Sequence, residues 1–172
     1  MAGDSFANDA SRPGAPSARS VALHIRLIVV GTGATAEQLT ELGSQLGYGE
    51  VRLCDAVPAE LDSSDHLIIA EENTEFARVM LAGTAKRELL PAYVGYAAPH
   101  AEGIKALVGL VAQRIPKHRL DAISAPAGVD IGAETPTEVA IAVAAELVSV
   151  LRGRRGAAPS WRAQARRARS RS

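Results

Sequence analysis

The sequence has a single cysteine, few aromatic residues and no long apolar run. Cys54 has no second cysteine to pair with, and a lone thiol with apolar neighbours is usually packed in a core. No stretch approaches the ~20 apolar residues that cross a membrane, and the first twenty residues lack an apolar segment of signal-peptide length. These absences exclude an internal disulfide framework, and they predict no membrane span and a cytoplasmic location.

Composition predicts one folded domain with two loose ends. Apolar residues make up 47% of the 172 residues but aromatic residues only 3%, so the core is expected to be aliphatic. Residues 1–22 are rich in Ala, Ser, Gly and Pro and are predicted to be disordered. The predicted domain covers 23–152, and 153–172 is predicted to be a disordered tail rich in arginine.

The formal net charge of zero hides two segments of opposite charge. Residues 152–172 contain eight arginines and no acid, whereas 23–151 contain nine Lys or Arg against seventeen Asp or Glu, a net charge of −8. Clustered arginines can replace the counterions around phosphate, so the tail could hold nucleic acid or an acidic partner. Because the tail lacks apolar periodicity, a solvated end is favoured and nucleic acid is not an expected partner.

The stretch after Leu23 has the order of a nucleotide-binding unit. Leu27–Val30 is a short apolar run typical of a strand that is buried on both faces of a parallel sheet. Gly31, Gly33 and Ala36 match G-x-G-x-x-A, and leucines at helical spacing follow. Glycines let such a turn bend sharply and approach a phosphate at the helix start. The candidate ligand-binding residues here are Gly31, Thr32, Gly33 and Ala34.

An aspartate stands where such units carry an acid. Asp55 stands at the carboxyl end of a second predicted strand, 50–55, and lies twenty-two residues after Gly33. A carboxylate at that place accepts hydrogen bonds from both ribose hydroxyls of a dinucleotide. A solvated aspartate at a strand end is the equal alternative, so Asp55 is a candidate binding residue on spacing alone.

The remaining pattern predicts a doubly wound α/β fold, a Rossmann-like three-layer sandwich with a mostly parallel sheet. Glu71, Glu72 and Glu75 are interpreted as a solvated helix start rather than a metal site, since no His or Cys accompanies them. The sequence shows no pairing of a nucleophile with a base. No catalytic or metal-ligating residue is therefore predicted. The predicted elements are strands at 25–30, 50–55, 66–70 and 91–94, helices at 35–46, about 74–87, about 99–114 and 136–151, a short strand within 123–126 and an irregular crossover at 56–64.

Two further segments are expected at the ligand crevice. His100 stands at a junction between a strand and a helix, where such sheets bind ligands. Thr135, Pro136 and Glu138 form the capping pattern of the last helix. The loop before that helix needs irregular backbone geometry and is expected to face a ligand through Gly128, Asp130 and Gly132.

The same loop carries a family resemblance. Residues 125–136, APAGVDIGAETP, followed by Glu138 and by AEL at 145–147, resemble the PIGLDIGA-x-TPEEIA...AE signature of the XdhC/CoxI family. These are accessory proteins that mature xanthine dehydrogenase and aerobic carbon monoxide dehydrogenase. The glycine turn, Asp55 and the Tyr93-Val94-Gly95 run resemble further family motifs, which makes Gly95 a candidate binding residue. The resemblance covers roughly residues 23–152.

The resemblance implies a cytoplasmic maturation factor, or chaperone, that is not an enzyme and that binds or delivers molybdenum cofactor, or molybdopterin. Its implied partners are a molybdenum hydroxylase subunit, a cysteine desulfurase and, in a homodimer, a second copy of the chain. An anionic pterin phosphate suits a glycine turn at a helix start. The chain departs from the family where basic or histidine residues stand: it has Ala70-Glu71-Glu72 in place of T-H-D, 97–101 (AAPHA) in place of G-S-R-R-K, and Val57 in place of an arginine.

Two alternatives stay open on the residues alone. Gly31, Gly33, Ala36 and Asp55 fit a small NAD(P)-dependent oxidoreductase. A degenerate Rossmann domain kept as a protein-interaction module would suit a crevice that has lost its basic residues.

Overall fold

The computed structural model describes residues 24–153. The predicted disordered ends, 1–22 and 153–172, lie outside the described residues apart from Gly153. The strands in the described part are β1 (Arg26–Val30), β2 (Glu50–Cys54), β3 (His66–Ile69), β4 (Tyr93–Tyr96) and β5 (Ile123–Ser124). The helices there are α1 (Ala34–Gln45), α2 (Thr74–Ala85), α3 (His100–Ala112), α4 (Lys117–Asp121) and α5 (Pro136–Leu151).

The strands form one sheet in the order β2-β1-β3-β4-β5, and all neighbours are parallel. The strand order reverses between β1 and β3, because β1 pairs with β2 on one side and with β3 on the other. In open parallel sheets the ligand crevice lies at the carboxyl ends of the strands at this switch point. The predicted doubly wound fold is confirmed, with a sheet that is wholly parallel.

The apolar run of β1 is explained by burial on both sides of the sheet. Its residues Leu27–Val30 are at most 1% exposed. Ile28 and Val30 belong to a core that includes residues of α2 and α3, whereas Leu27 and Val29 belong to a core with α1 and α5. Successive side chains of a strand alternate between faces, so each face needs its own apolar set.

The two helical layers complete the three-layer sandwich. The crossover from β2 to β3 contains no helix, as predicted, and its Val57 and Leu61 pack on the core of α2 and α3. On the other face α5 packs against α1 and contributes Val139, Val143 and Leu147 to the core that contains β1. The last helix and α1 therefore share the core on this face of β1.

An ion pair fixes the amino ends of β1 and β3. Asp65 is fully buried, and its carboxylate accepts hydrogen bonds from Arg26 Nε at 2.7 Å and Arg26 Nη2 at 2.6 Å. It also accepts a hydrogen bond from the Asp62 amide at 2.6 Å. The hydrogen bond to Asp65 raises the pKa of Arg26. Such a bidentate pair is stronger than a single hydrogen bond, and it fixes the orientation of the two side chains relative to each other.

The structure corrects the sequence interpretation at β4 and before β5. The predicted strand at 91–94, with Gly95 after it, is Tyr93–Tyr96 instead, and Gly95 is a buried residue inside it. A Cβ at Gly95 would lie 2.8 Å from the Tyr93 ring and 3.0 Å from Ala127 Cβ. Gly95 therefore allows Tyr93 and Ala127 to pack closely against β4. The short helix α4 was not predicted, and the strand expected within 123–126 spans Ile123–Ser124.

Candidate functional site

The glycine turn after β1 lies against the end of β3. Gly31 has φ +145°, and a Cβ there would lie 2.4 Å from the carbonyl oxygen of Ala70. The Gly31 amide donates a hydrogen bond to the Cys54 carbonyl at 3.0 Å, so it is not available to a ligand. Gly31 thus lets the turn pass directly beside its neighbouring strands, because any side chain would collide with backbone.

A carboxylate occupies the place above the second glycine. Gly33 is the N-cap of α1 with φ +115°, and a Cβ there would lie 2.8 Å from Oε1 of Glu72. Thr32, Gly33 and Ala34 are exposed, as the binding hypothesis requires. An anionic phosphate above this turn would meet the Glu72 carboxylate, and like charges at such a distance repel each other.

Four helices begin at the edge where the strands end, and they are capped differently. The Asn73 side chain caps α2, and Thr135 with Glu138 forms the predicted capping box of α5. The N-caps of α1 and α3 are Gly33 and Pro99, and neither provides a side-chain hydrogen bond. The amino ends of α1 and α3 are therefore the less satisfied ones, and such ends favour negative charge.

A cavity of about 240 Å³ lies at the switch point. We call it the crevice cavity. Its apolar walls come from the segments that follow β3 and β4 and from the start of α5, and Thr35 of α1 closes one side. It is lined by Thr35, Ala70, Glu71, Glu72, Tyr96, Ala97, Ala98, Pro99, Glu102, Glu134, Pro136 and Val139.

Among residues 24–153, the lining of the crevice cavity carries four carboxylates and no basic side chain. Two are engaged: Glu102 accepts hydrogen bonds from Lys105 and Thr74 at 2.6 Å each, and Glu71 accepts one from the Asn73 amide at 3.0 Å. The bond from Lys105 lowers the pKa of Glu102. Within residues 24–153, the carboxylates of Glu72 and Glu134 make no hydrogen bond or ion pair. The cavity is therefore rich in hydrogen-bond acceptors.

The loop between β5 and α5 is held by backbone contacts to the sheet and the helix. The Ala127 amide donates to the Tyr96 carbonyl at 2.7 Å, and the Val129 amide donates to the Ala142 carbonyl at 3.0 Å. Gly128 has φ +109°, and a Cβ there would lie 3.0 Å from the Ala142 backbone. These contacts bring the loop to the carboxyl edge of the sheet, where it was expected.

Glu146 is the positioning residue that sequence analysis missed. Its carboxylate accepts a hydrogen bond from the Gly128 amide and another from Ser124 Oγ at 3.1 Å. In the sequence, Glu146 stands in the family signature and interrupts an otherwise apolar run. The signal that could have identified its role is that it is the single charged residue in the apolar run from Val139 to Leu151.

The candidate residues form two groups in space, and two further residues stand apart from both. His100, Gly128, Asp130 and Gly132 line one narrow cleft of about 50 Å³, which shares Ala98 and Val139 with the crevice cavity. The glycine turn, Gly31 to Ala34, leads into α1 beside the crevice cavity. Asp55 is exposed beyond β2, and Gly95 is inside β4, so neither lines these two cavities.

Neither a metal-binding group nor a membrane-spanning helix is found among the described residues. Between residues 24 and 153, no three His, Cys, Asp or Glu side chains are grouped so that they could hold a metal ion. Over the same range, no helix combines the length and the apolar character that crossing a membrane requires.

Comparison with known proteins gives one family and one informative structure. The family model of the XdhC Rossmann domain matches residues 27–147. A solved structure described as a xanthine dehydrogenase from Bacillus halodurans superposes with a TM-score of 0.60 at 21% sequence identity. The match covers 78% of this chain and 44% of that one, so the chain spans less than half of its structural neighbour. No curated protein matches the chain.

Proposed function

The chain belongs to the XdhC Rossmann-domain family, and we propose that it is a non-catalytic accessory protein in the maturation of a molybdenum hydroxylase. The hydroxylase would be of the xanthine dehydrogenase or carbon monoxide dehydrogenase type, and the chain would hold the molybdenum cofactor and deliver it. The observation that carries the proposal is the family match over 27–147, which includes the glycine turn, the crevice cavity and the loop before α5.

The crevice cavity fits the pterin part of this cofactor better than its phosphate. A volume of about 240 Å³ is below the ~300–1,000 Å³ typical of sites for drug-sized ligands, and it suits a bicyclic ring system. Ala97, Ala98 and Pro99 offer apolar walls to the ring faces, and the glutamates accept hydrogen bonds from ring N–H groups. With Glu72 at Gly33, the phosphate is better placed toward solvent than on the glycine turn.

Weak retention of the phosphate agrees with a carrier role. A protein that delivers a cofactor must release it to the apoenzyme, and each charged hydrogen bond to the phosphate would oppose release by about 1.5–3 kcal/mol. In the described part of the chain, the lining of the crevice cavity includes no Lys, Arg or His for that purpose. The cofactor would supply its redox chemistry in the hydroxylase, and this chain would bind, orient and shield the ring until delivery.

Contact with a hydroxylase subunit requires an exposed surface, and the layer of α2 and α3 offers one. Phe76 and Val79 of α2 and Val108 and Val111 of α3 are each more than half exposed. Exposed apolar side chains on neighbouring helices are typical of protein contacts. They support the partner part of the proposal, and they equally favour a module that binds proteins alone.

The oxidoreductase alternative has less support. Asp55 lies past the end of β2 as a dinucleotide site requires, but the carboxylate at Gly33 stands where the pyrophosphate would approach. Calorimetric titration with NAD and with NADP separates the two hypotheses. The accessory role predicts no heat of binding, and binding of either dinucleotide would favour the enzyme.

The proposed function is tested by copurification from cells that produce a molybdenum hydroxylase. We expect the full chain to retain molybdopterin and a hydroxylase subunit after affinity purification. Retention of a protein partner without molybdopterin would favour the interaction module. Retention of neither would remove the proposed function.

A further inference from the structure

We propose that the arginine-rich tail of this chain docks back onto the groove between the carboxyl ends of α1 and α5, with Trp161 seated in that groove. The occupant is residues 154–172, which lie outside the described residues. Both helices begin at the edge of the sheet that holds the crevice cavity, so their ends lie at the opposite edge. The inference goes beyond the proposed function and does not depend on it.

The groove lies where α1 and α5 end side by side. Its volume is about 460 Å³, compared with about 240 Å³ for the crevice cavity. Leu46 and Leu151 are partly buried in it, and Val148 is 37% exposed, so part of its wall is apolar. It is lined by Ser44, Gln45, Leu46, Gly47, Val148, Leu151 and Arg152. The groove therefore has room and apolar surface for a large side chain.

The electrostatics of the groove favour positive charge. A helix carries partial negative charge at its carboxyl end, and two such ends meet here. In the described part of the chain, the last turns of α1 and α5 contain no basic residue, and Arg152 at the C-cap of α5 is the one cation in the lining. Glu37 and Glu41 are exposed and precede Gln45 at four-residue intervals, which place them on the same face of α1. Further arginines would complement this surface.

The chain leaves α5 beside the groove, within reach of it. Gly153 has φ +64°, and its amide donates a hydrogen bond to the Val150 carbonyl at 3.0 Å. A left-handed glycine at this place ends a helix and redirects the chain. Trp161 follows eight residues later, a segment that spans at most about 26–29 Å. Gly156 and Pro159 stand between them, and both residue types favour turns.

The composition of the tail matches the groove. Residues 154–172 contain seven arginines and no acid, and Trp161 is their one large apolar side chain. An indole ring suits the apolar wall, and the arginines suit the helix ends. The segment 1–23 also lies outside the described residues, but its two arginines are balanced by two aspartates. A separate protein would compete with a tethered segment whose effective concentration is about millimolar.

The test uses the fluorescence of the full chain, because Trp161 is the single tryptophan of the sequence. The reference is a synthetic peptide of residues 154–172. We expect the full chain to emit at shorter wavelength than the peptide and to have a several-fold smaller quenching constant with acrylamide, since a seated indole is shielded from water. Emission and quenching equal to those of the peptide would overturn the inference.

A matched pair of variants locates the contact. Val148→Lys adds a cation that repels the arginines and complements the end of α5, so it should keep the fold and shift both signals to the values of the peptide. Val111→Lys makes the same change in the last turn of α3, on the other face of the sheet, where the valine is 57% exposed. It should leave both signals unchanged.

Circular dichroism verifies that the variants fold, and Ser44→Arg, at an exposed position of the same groove, replaces Val148→Lys if that variant unfolds. A shielded Trp161 in the folded groove variant would overturn the inference. A shift caused by Val111→Lys would overturn it as well, because Trp161 would then lie on the layer of α2 and α3.

Dilution distinguishes the tail of the same chain from that of a second copy. Docking within one chain predicts emission and quenching that do not depend on protein concentration, whereas docking between copies follows mass action. Signals that approach those of the peptide on dilution would overturn the assignment to the same chain. The result is separable from the proposed function, since retention of molybdopterin and of a hydroxylase subunit is measured independently of Trp161.

Discussion

The carboxylate of Glu146 on α5 accepts a hydrogen bond from the backbone amide of Gly128, eighteen residues earlier in the chain. It also accepts one from Ser124 Oγ, so a single side chain ties the helix to β5 and to the loop after it. The loop then continues along the narrow cleft to Glu134 at the crevice cavity. The shape of the site therefore depends on a residue that touches neither glycine turn nor cavity.

Replacing Glu146 should destabilise the fold and loosen this loop. Glu146→Ala leaves the part-buried Gly128 amide and Ser124 hydroxyl without their acceptor, which we expect to cost about 2–3 kcal/mol in the free energy of unfolding. Urea denaturation measures the loss. Glu41→Ala, at an exposed site of α1, should change the free energy by less than about 0.5 kcal/mol. Equal effects of the two substitutions would contradict the role of Glu146.

Two helical glycines should respond to alanine with opposite signs. A Cβ at Gly103 of α3 would lie 2.5 Å from Pro126 Cβ, so Gly103→Ala should destabilise the fold by about 1–3 kcal/mol through overpacking. A Cβ at Gly83 of α2 meets nothing within 4 Å, so Gly83→Ala should stabilise it by about 0.5–1 kcal/mol. Thermal unfolding of both variants checks the signs. A stable Gly103→Ala would show that the loop around Pro126 does not pack on α3.

The buried ion pair of Arg26 and Asp65 should contribute more to the stability of the fold than the exposed pair of Arg52 and Glu50. Asp65→Ala removes the acceptor of two Arg26 hydrogen bonds at a fully buried site, and we expect a loss of about 3 kcal/mol in the free energy of unfolding. Glu50→Ala breaks the exposed pair with Arg52, which is worth less than about 1 kcal/mol. Chemical denaturation of the two variants compares them, and similar losses would contradict the importance of burial.

The capping box of α5 should lose its contribution in acid. The amides of Glu134 and Thr135 donate to Glu138 and hold its pKa below the ordinary value of 4.5. A carboxyl whose pKa is lowered by folding stabilises the fold above its unfolded pKa, and this contribution is lost as the pH falls through the lowered folded pKa. The stability difference between wild type and Glu138→Gln should therefore be largest at neutral pH and shrink below pH 4.5. Denaturation curves of both proteins across that pH range measure the difference. A stability difference that does not change with pH would exclude the mechanism.

Local patterns sufficed for most of the fold. The buried run Leu27–Val30 and the capping box at Thr135 each depend on neighbouring residues, and the last helix begins and ends where it was predicted. Gly95 was misplaced because the Tyr93-Val94-Gly95 run does not show that Ala127 packs beside it.

The character of the site depended on contacts between distant segments. Glu72 reads as part of a solvated helix start along the chain, and only the pairing of β1 with β3 brings it to Gly33. Glu134 reaches the same cavity because the loop before α5 is held at this edge of the sheet. Neither position can be read from spacing, and together they add two carboxylates to the lining of the crevice cavity.

As proposed, this chain would hold the pterin of the molybdenum cofactor. The direct measurement is to mix the full chain with cofactor freshly released from a molybdoenzyme under anaerobic conditions, separate the mixture by gel filtration, and quantify the oxidised pterin by fluorescence in each fraction. We expect the pterin to elute with the protein at close to one equivalent. Pterin that elutes entirely at the small-molecule volume would contradict it.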